Sequence, residues 1–476
     1  MEKIIMSTLT NQIKQTRGPY VIIATVVWEF FSYYGMSSLL ILYLTQSLHF
    51  SDQYSYSLFG AYTSLTFLTP IIGGWLADNY IGNRISMILG AILIMLGHFS
   101  LAFTKIWSLY LGLSFLICGV GLFKANAICL IGEYYTDPIK RSSAFIIYYL
   151  GGNIGAAIAP IACGYAAAKY GWDYGFALAG AGMLCGLITL LKFRKYLSNV
   201  GNPVKKLTKP LILAYVVTVF SMLAATILII VKLWNGYVLI TTTLIALFML
   251  GKIYLNCDLK LRKKLRLGLV LTCFGVLFWV FCQQGACSVS LFIERFVDRT
   301  LFNYLVPTAM FQAVNPGSIV IFGVAIAYCL KKLASIHIIL NSVTQVIIGM
   351  ALLTIGFLIF TLGAGNAELL KISMIWVIIG LTLISVAELF IDPVIISVFN
   401  ETSPPKSLGT LTAIYFFFAG AIGNYLASWV AKFTATPNEH ASAILYKSTY
   451  EKIFYVGILL VVGLISIRLK TRQRLR

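Results

Sequence analysis

Four ionisable residues stand inside long apolar stretches of this sequence: Glu29, Lys124, Glu388 and Asp392. At membrane depth each charge costs at least about 2.5 kcal/mol, so each is a functional candidate by default. Glu29 lies in Trp28-Glu29-Phe30-Phe31-Ser32-Tyr33-Tyr34-Gly35, and Lys124 in Gly119-Val120-Gly121-Leu122-Phe123-Lys124-Ala125-Asn126. A carboxylate and an ammonium in separate helices of one bundle can pair, which lowers the cost of burying each; such a pair serves either structure alone or a binding path. Glu388 and Asp392 are four apart, so on one helix they share a face. Two carboxylates that close repel, and one of them then holds a proton near neutral pH. For Asp392, which adjoins Pro393, a local role at a distorted helix competes with this reading.

Uncharged polar groups join them. Asn153 falls in Gly151-Gly152-Asn153-Ile154-Gly155, where glycines permit close helix packing and the amide needs a partner. Asn315 precedes Pro316 and either caps the helix that follows or faces a site. Gln283 and Gln284, after Phe278 and Trp279, are amides in an apolar run, where burial without a partner is costly. Gly73-Gly74-Trp75-Leu76-Ala77-Asp78 followed by Gly82-Asn83-Arg84 reads as a tight turn between two helices. His49 and His440 read as loop residues, His337 as a helix edge and His98 as a helix-end residue; nine cysteines stand singly, as apolar fillers. No Walker A sequence, metal-ligand cluster or catalytic triad pattern is present, so no metal, no cofactor and no enzyme activity are expected.

The elements that hold these residues follow from composition. The chain has 476 residues, 59% hydrophobic and 11% charged, with a formal net charge of +20 and a mean hydropathy of +0.88. A soluble domain would carry about 25% charged residues, and a disordered chain would be poor in apolar ones. This is a membrane protein. A spanning helix needs about 20 apolar residues, and fourteen such windows occur, near 19–46, 53–77, 84–103, 107–131, 142–168, 172–192, 210–232, 236–254, 266–290, 316–330, 337–361, 373–399, 408–431 and 453–469. The shortest, 316–330, begins at Pro316.

With both termini inside, 26 Lys and Arg fall in inside segments and 9 in outside ones, which fixes the orientation. The +20 is thus a mark of topology and of anionic lipid headgroups, not of nucleic acid. The stretch before Gly18 is polar, so the first span is expected to act as the insertion signal. The densest basic clusters bracket 210–254, a hairpin with few intramembrane polar groups; removing it leaves six spans on each side. The expected organisation is a cytoplasmic segment 1–18, a six-helix bundle 19–192, a linker 193–265 carrying the hairpin, a second six-helix bundle 266–469 and a basic tail 470–476. Two six-span halves are the plan of secondary transporters that bind substrate near the midplane.

On these residues the chain resembles the major facilitator superfamily, and within it the proton-dependent oligopeptide transporter family. Gly74, Asp78, Gly82 and Arg84 resemble the superfamily's gating loop motif. Trp28 to Met36 looks like the family's first-span signature, Gly121 to Asn126 like its fourth-span lysine motif, and Phe145-Ile146-Ile147-Tyr148-Tyr149 through Asn153 and Gly155 like its fifth-span signature. Trp279 to Gly285, Asn315-Pro316, Glu388-Leu389-Phe390 with Pro393, and Gly423-Asn424-Tyr425-Leu426-Ala427 follow in the expected order. The resemblance implies an all-α, fourteen-helix major facilitator fold that imports di- or tripeptides, or related zwitterions, with protons by alternating access. It further implies a peptide carboxylate held by Lys124 and Tyr34 and an amino end held by Asn153, Asn315 and Glu388; Tyr33, Tyr148, Trp279, Gln283 and Tyr415 are expected beside them, and Glu29, Lys124, Glu388 and, from its spacing to Glu388 alone, Asp392 are expected to couple protons. A monomer in a plasma membrane, the inner membrane of a bacterium, is the corresponding expectation. The signature departs where the family has two glutamates three apart followed by arginine, and this chain has Val26, Glu29 and Phe30. Gln283 stands for a seventh-span glutamate, Tyr415 for an eleventh-span tryptophan, and Asp392 is an extra acid. A proton-independent facilitator or exchanger of an amino-acid derivative is the competing function.

Overall fold

In a computed structural model, the chain is described over residues 2–473 except 136, 198–199, 204–207, 338–339, 368–369, 405–406 and 436–441; the side chains of 2–16, 138, 400, 402 and 470–473 are also outside the description. The side chains of Lys3, Lys14, Lys205, Lys206, Lys406, Lys470, Arg472, Arg474 and Arg476, counted above as cytoplasmic, and His440 therefore lie outside the described residues.

The helices are α1 (Glu2–Gln46), α2 (Asp52–Leu76), α3 (Gly82–Leu101), α4 (Ile106–Glu133), α5 (Pro138–Tyr170), α6 (Trp172–Lys192), α7 (Lys209–Lys232), α8 (Asn235–Asn256), α9 (Leu259–Cys282), α10 (Ser288–Phe296), α11 (Val314–Ser335), α12 (Ser342–Asn366), α13 (Met374–Glu388), α14 (Asp392–Thr402), α15 (Leu408–Phe416), α16 (Gly423–Ala431) and α17 (Ala443–Gln473). Local chemistry starts several of them. Asp258 caps α9 by accepting from Leu261 N at 2.7 Å, and Asn341 caps α12 by accepting from Thr344 N at 2.8 Å.

Among the described residues twelve helical stretches are long and apolar enough to cross a membrane. One of them, Asp52–Leu101, has 50 residues, and at roughly 1.5 Å per residue would run about 75 Å, far beyond a hydrocarbon core of about 30 Å. It is two crossings, α2 and α3, which turn at a π-helical segment Ala77–Ile81 and at Gly82 with φ of +80°. Counting both, and adding α1, whose polar residues lower its hydropathy, gives fourteen, the number expected.

Three spans differ from their expected form. The one placed at 316–330 begins at Thr308 and continues to Ser335; Pro316 sits in the first turn of α11, where its missing N–H has no partner to lose. The one placed at 266–290 runs to Phe296 and narrows to a 3-10 turn at Gln283–Gly285. The third, 373–399, breaks between α13 and α14 at residues 389–391, because Pro393 cannot donate to the carbonyl four residues back.

The chain separates into two compact units, 1–40 with 65–234, and 41–64 with 235–476. The division falls within the 210–254 hairpin. In the first unit α3 packs along α4 and α6, α5 packs on α6, and α7 lies on α4. Leu76, Ile81, Leu122 and Tyr215 form a buried cluster under the α2–α3 turn. In the second, α12 packs between α13 and α17, α11 lies on α13, and α9 meets α14 and α16.

Candidate functional site

In the first unit, glycines set the spacing of α1, α4 and α5. A Cβ on Gly155 would strike the Val27 carbonyl, and one on Gly152 would lie 2.9 Å from the Phe30 ring. Only with glycine at both places does α5 approach α1 closely enough to set Tyr148 edge-on to Phe30, with centroids 6.3 Å apart. Gly121 faces Thr69 on α2, and Thr69 Oγ1 donates to the Ile117 carbonyl at 2.9 Å.

This packing brings Lys124 to Glu29. Nζ lies 3.7 Å from Glu29 Oε1; the lysine side chain is 25% exposed and the glutamate 1%. Neither Glu29 oxygen has a hydrogen-bond partner among the described residues. The ammonium also stands over two rings, 4.5 Å from the centroid of Tyr33 and 5.5 Å from that of Phe30, a placement that favours a cation. Tyr34 stacks on Phe30 at 5.9 Å. Phe30, where the family carries arginine, thus fills its place with an aromatic wall facing Lys124, and Val26 is core. Asn153 is buried and donates to the Tyr149 carbonyl one turn back at 2.9 Å.

The turn motif forms a separate cluster. Gly82 lies against the backbone of Gly201 and Pro203. Arg84 N donates to the Gly201 carbonyl at 3.1 Å and its guanidinium to the Arg194 carbonyl at 3.2 Å. Glu133, at the end of α4, accepts from Asn83 Nδ2 at 2.8 Å and from Gly201 N at 2.9 Å. Asp78 is exposed and Gly74 half-buried. Glu133 and Gly201 were not legible as members of this cluster, since neither belongs to the motif.

In the second unit, Glu388 and Asp392 do not share a helical face. Glu388 ends α13, Asp392 begins α14, and the break between them gives each its own partners. Asn315 Nδ2 donates to Ser385 Oγ at 3.1 Å and to Glu388 Oε2 at 3.4 Å. Asn315 is therefore not a helix cap: it lies inside the first turn of α11, whose N-cap is Ala313. Asp392 Oδ1 accepts from Trp279 Nε1 at 2.9 Å and from the Tyr415 hydroxyl. Of the two glutamines, Gln284 is buried and binds the Val280 and Ala427 carbonyls and Ser288; Gln283 is half-buried.

Sequence reading missed the ion pair of Asp52 with Arg295. The guanidinium grips the carboxylate with two bonds, 2.6 Å and 2.8 Å, and reaches the Tyr446 hydroxyl at 3.3 Å. Arg295, one of the nine basic residues counted as outside, is in the last turn of α10. Tyr56 and Thr434 bond beside it at 3.1 Å. The partners are 243 residues apart, which left no local signal. A half-buried bidentate pair contributes about 2 kcal/mol. Asp52→Arg and Arg295→Asp are each expected to lower the melting temperature of the detergent-purified protein by several degrees, and the double exchange to recover at least half of the loss.

Comparison with known proteins bears on the fold and the family. The model of the POT family matches residues 85–448. Dipeptide and tripeptide permease A of Citrobacter koseri is 29% identical over 465 residues, covering 94% of this chain and 90% of the relative. The permease of the same description from Yersinia pestis is 29% identical over 470 residues, covering 95% and 92%. Among solved structures, tetrameric PepTSo2 superposes with a TM-score of 0.83 at 25% identity, covering 96% of this chain and 99% of that one. A POT family transporter in complex with 5-aminolevulinic acid shares the fold at a TM-score of 0.83 and 24% identity, covering 95% and 96%. The fold is that of the major facilitator superfamily, and the chain, a multi-pass membrane transporter and not an enzyme, belongs to the POT family.

Proposed function

We propose that this protein imports di- and tripeptides together with protons by alternating access. The observation that carries the reading is the chemistry of the two constellations. One presents a partly exposed ammonium, Lys124, whose carboxylate partner is buried and makes no hydrogen bond among the described residues. The other presents the carboxylates Glu388 and Asp392, with the amide Asn315 and the hydroxyl Tyr415. A positive group in one half and negative groups in the other suit the two ends of a zwitterion. The curated relatives are dipeptide and tripeptide permeases over nearly their whole length, which supports the same substrate class here.

In this account Lys124, with Tyr34 and Tyr33, receives the peptide carboxylate, and Glu388, with Asn315 and Asn153, receives the amino end. In the same account Tyr148, Trp279, Gln283 and Tyr415 also contact the substrate. At 3.7 Å the Glu29–Lys124 contact is an ion pair without a hydrogen bond, so a proton on Glu29 leaves Lys124 free for the substrate carboxylate. Loss of that proton to the cytoplasm restores the pair and displaces the peptide. Glu388 takes part in the same exchange at the amino end. Gly74, Asp78, Gly82 and Arg84 hold the turn that opens and closes the cytoplasmic side. The protein acts as a monomer in the plasma membrane, the inner membrane of a bacterium, with both termini in the cytoplasm.

A ligand that binds the native state raises its apparent stability. Ala-Ala and tri-alanine at saturating concentration are expected to raise the melting temperature of the purified protein, with no shift for N-acetyl-Ala-Ala-amide, which lacks both charged ends. A shift given by single amino-acid derivatives but by no peptide would contradict the substrate assignment.

A further inference from the structure

The hairpin of α7 and α8 has no part in the transport reading so far, yet it is fastened at both ends and divided in the middle. Its first arm, α7, packs on α4 and on the α2–α3 turn. Tyr215 and, half-buried, Val219 join Leu76, Ile81 and Leu122 in the cluster under that turn, and Thr226 Oγ1 lies 3.5 Å from Cys118 Sγ on α4. The segment that leads into α7 is held by the same unit. The Tyr134 hydroxyl donates to the Leu197 carbonyl at 2.9 Å. Gly201 is bound on both sides, its N–H to Glu133 at 2.9 Å and its carbonyl to Arg84 N at 3.1 Å. With φ of +71° it holds a conformation that glycine adopts without strain.

The second arm, α8, packs on α9, on α15 and on the π-helical turn Phe417–Ile422. Gly236 comes against the Tyr425 hydroxyl. The far end of this arm is tied to α9: Arg262 Nε donates to the Cys257 carbonyl at 2.8 Å, its guanidinium also donates to the Leu255 carbonyl, and Arg266 donates to the Tyr254 hydroxyl at 3.1 Å. The partners of each arm therefore belong to that arm's own unit. Between the arms stand only Leu233 and Trp234. Leu233, with φ of +52°, closes α7 in the left-handed conformation that glycine ordinarily supplies. Hinges are formed by a few residues at element ends that absorb a change in φ and ψ, and an insert fastened at both ends has this junction left to bend.

We infer that the hairpin is a divided tether: α7 moves as a seventh helix of the first bundle, α8 moves as a seventh helix of the second, and the Leu233–Trp234 junction is the hinge that flexes as the bundles alternate. The inference rests on the alternating-access reading. A hairpin carried as one passive body keeps the distance between its arms throughout the cycle; a divided one changes it.

The test measures distances between pairs of spin labels on the full-length protein in nanodiscs, with the exposed Cys129, Cys185, Cys273 and Cys329 replaced by alanine. Labels go on exposed apolar positions: Ile188→Cys on α6, Leu213→Cys on α7, Leu255→Cys on α8 and Ile465→Cys on α17. Each pair is compared between peptide-free protein at alkaline pH and protein saturated with Ala-Ala at acid pH. The pair 188 with 465 reports the movement of the halves. It and the pair 213 with 255 are expected to shift by several ångströms, while 188 with 213 and 255 with 465 stay unchanged. An unchanged distance from 213 to 255 beside a shifting reference pair overturns the inference, because the hairpin then moves as one body, and so does a shift within either bundle pair. No shift in the reference pair removes alternating access and the inference with it. A second measurement needs no label: Thr226→Cys, oxidised onto Cys118, ties α7 to α4, and uptake of Ala-Ala into proteoliposomes is expected to match that of the reduced protein. A loss of uptake on oxidation that dithiothreitol reverses overturns the inference.

Discussion

Lys124→Ala is expected to reduce peptide uptake about 100-fold and to destabilise the protein at the same time. The first effect follows from the loss of charge-assisted bonds to the substrate carboxylate, each worth about 1.5–3 kcal/mol. The second follows from what remains. Glu29 is 1% exposed and, among the described residues, its oxygens make no hydrogen bond and Lys124 is its only ion-pair partner, so removing Lys124 leaves an uncompensated buried charge, a cost of about 3–5 kcal/mol. The two effects are separable. Adding Glu29→Gln to Lys124→Ala removes the orphaned charge and is expected to recover most of the melting temperature, while uptake stays lost. Recovery of uptake in the double variant would show that Lys124 only balances Glu29 and does not touch the substrate. Unchanged uptake in Lys124→Ala alone would remove the assignment altogether.

Glu388→Gln is the second variant with a large expected effect. Glutamine keeps an acceptor for the Asn315 amide, which lies 3.4 Å from Glu388 Oε2, so the local structure has little reason to change. What disappears is the charge that faces the peptide amino group. Affinity for Ala-Ala is expected to fall at least about tenfold. An Ala-Ala analogue whose amino end is acetylated binds wild type weakly and is expected to bind the variant equally weakly. Wild-type affinity for Ala-Ala in Glu388→Gln would place the amino-end site elsewhere.

The sequence makes the candidate residues legible and leaves their partners largely hidden. Glu29, Lys124, Glu388 and Asp392 are conspicuous because charges are so rare in the spans of this chain, and the cost of burying them is a matter of composition alone. The pairing of Glu29 with Lys124 was open to inference for the same reason, since each lowers the cost of the other. The Trp279–Asp392 bond spans 113 positions and the Asp52–Arg295 pair 243; no periodicity connects residues so far apart. The shared face assumed for Glu388 and Asp392 failed for a local reason that was visible: Pro393 disrupts the helix four residues upstream, and the break re-aims both carboxylates. The same residue type gave the opposite error at 316–330, where Pro316 suggested a boundary and instead stands in the first turn of a longer span. Proline marks a helix start and a helix break with equal force, and only packing decides between them.

The central claim is that peptide movement is driven by protons, and uptake of radiolabelled Ala-Ala into proteoliposomes tests it most directly. An inward proton gradient is expected to drive accumulation above the external concentration, a protonophore to collapse it, and Glu29→Gln to lose the gradient-driven component while keeping peptide exchange. An uptake rate and final level indifferent to the proton gradient would contradict the account.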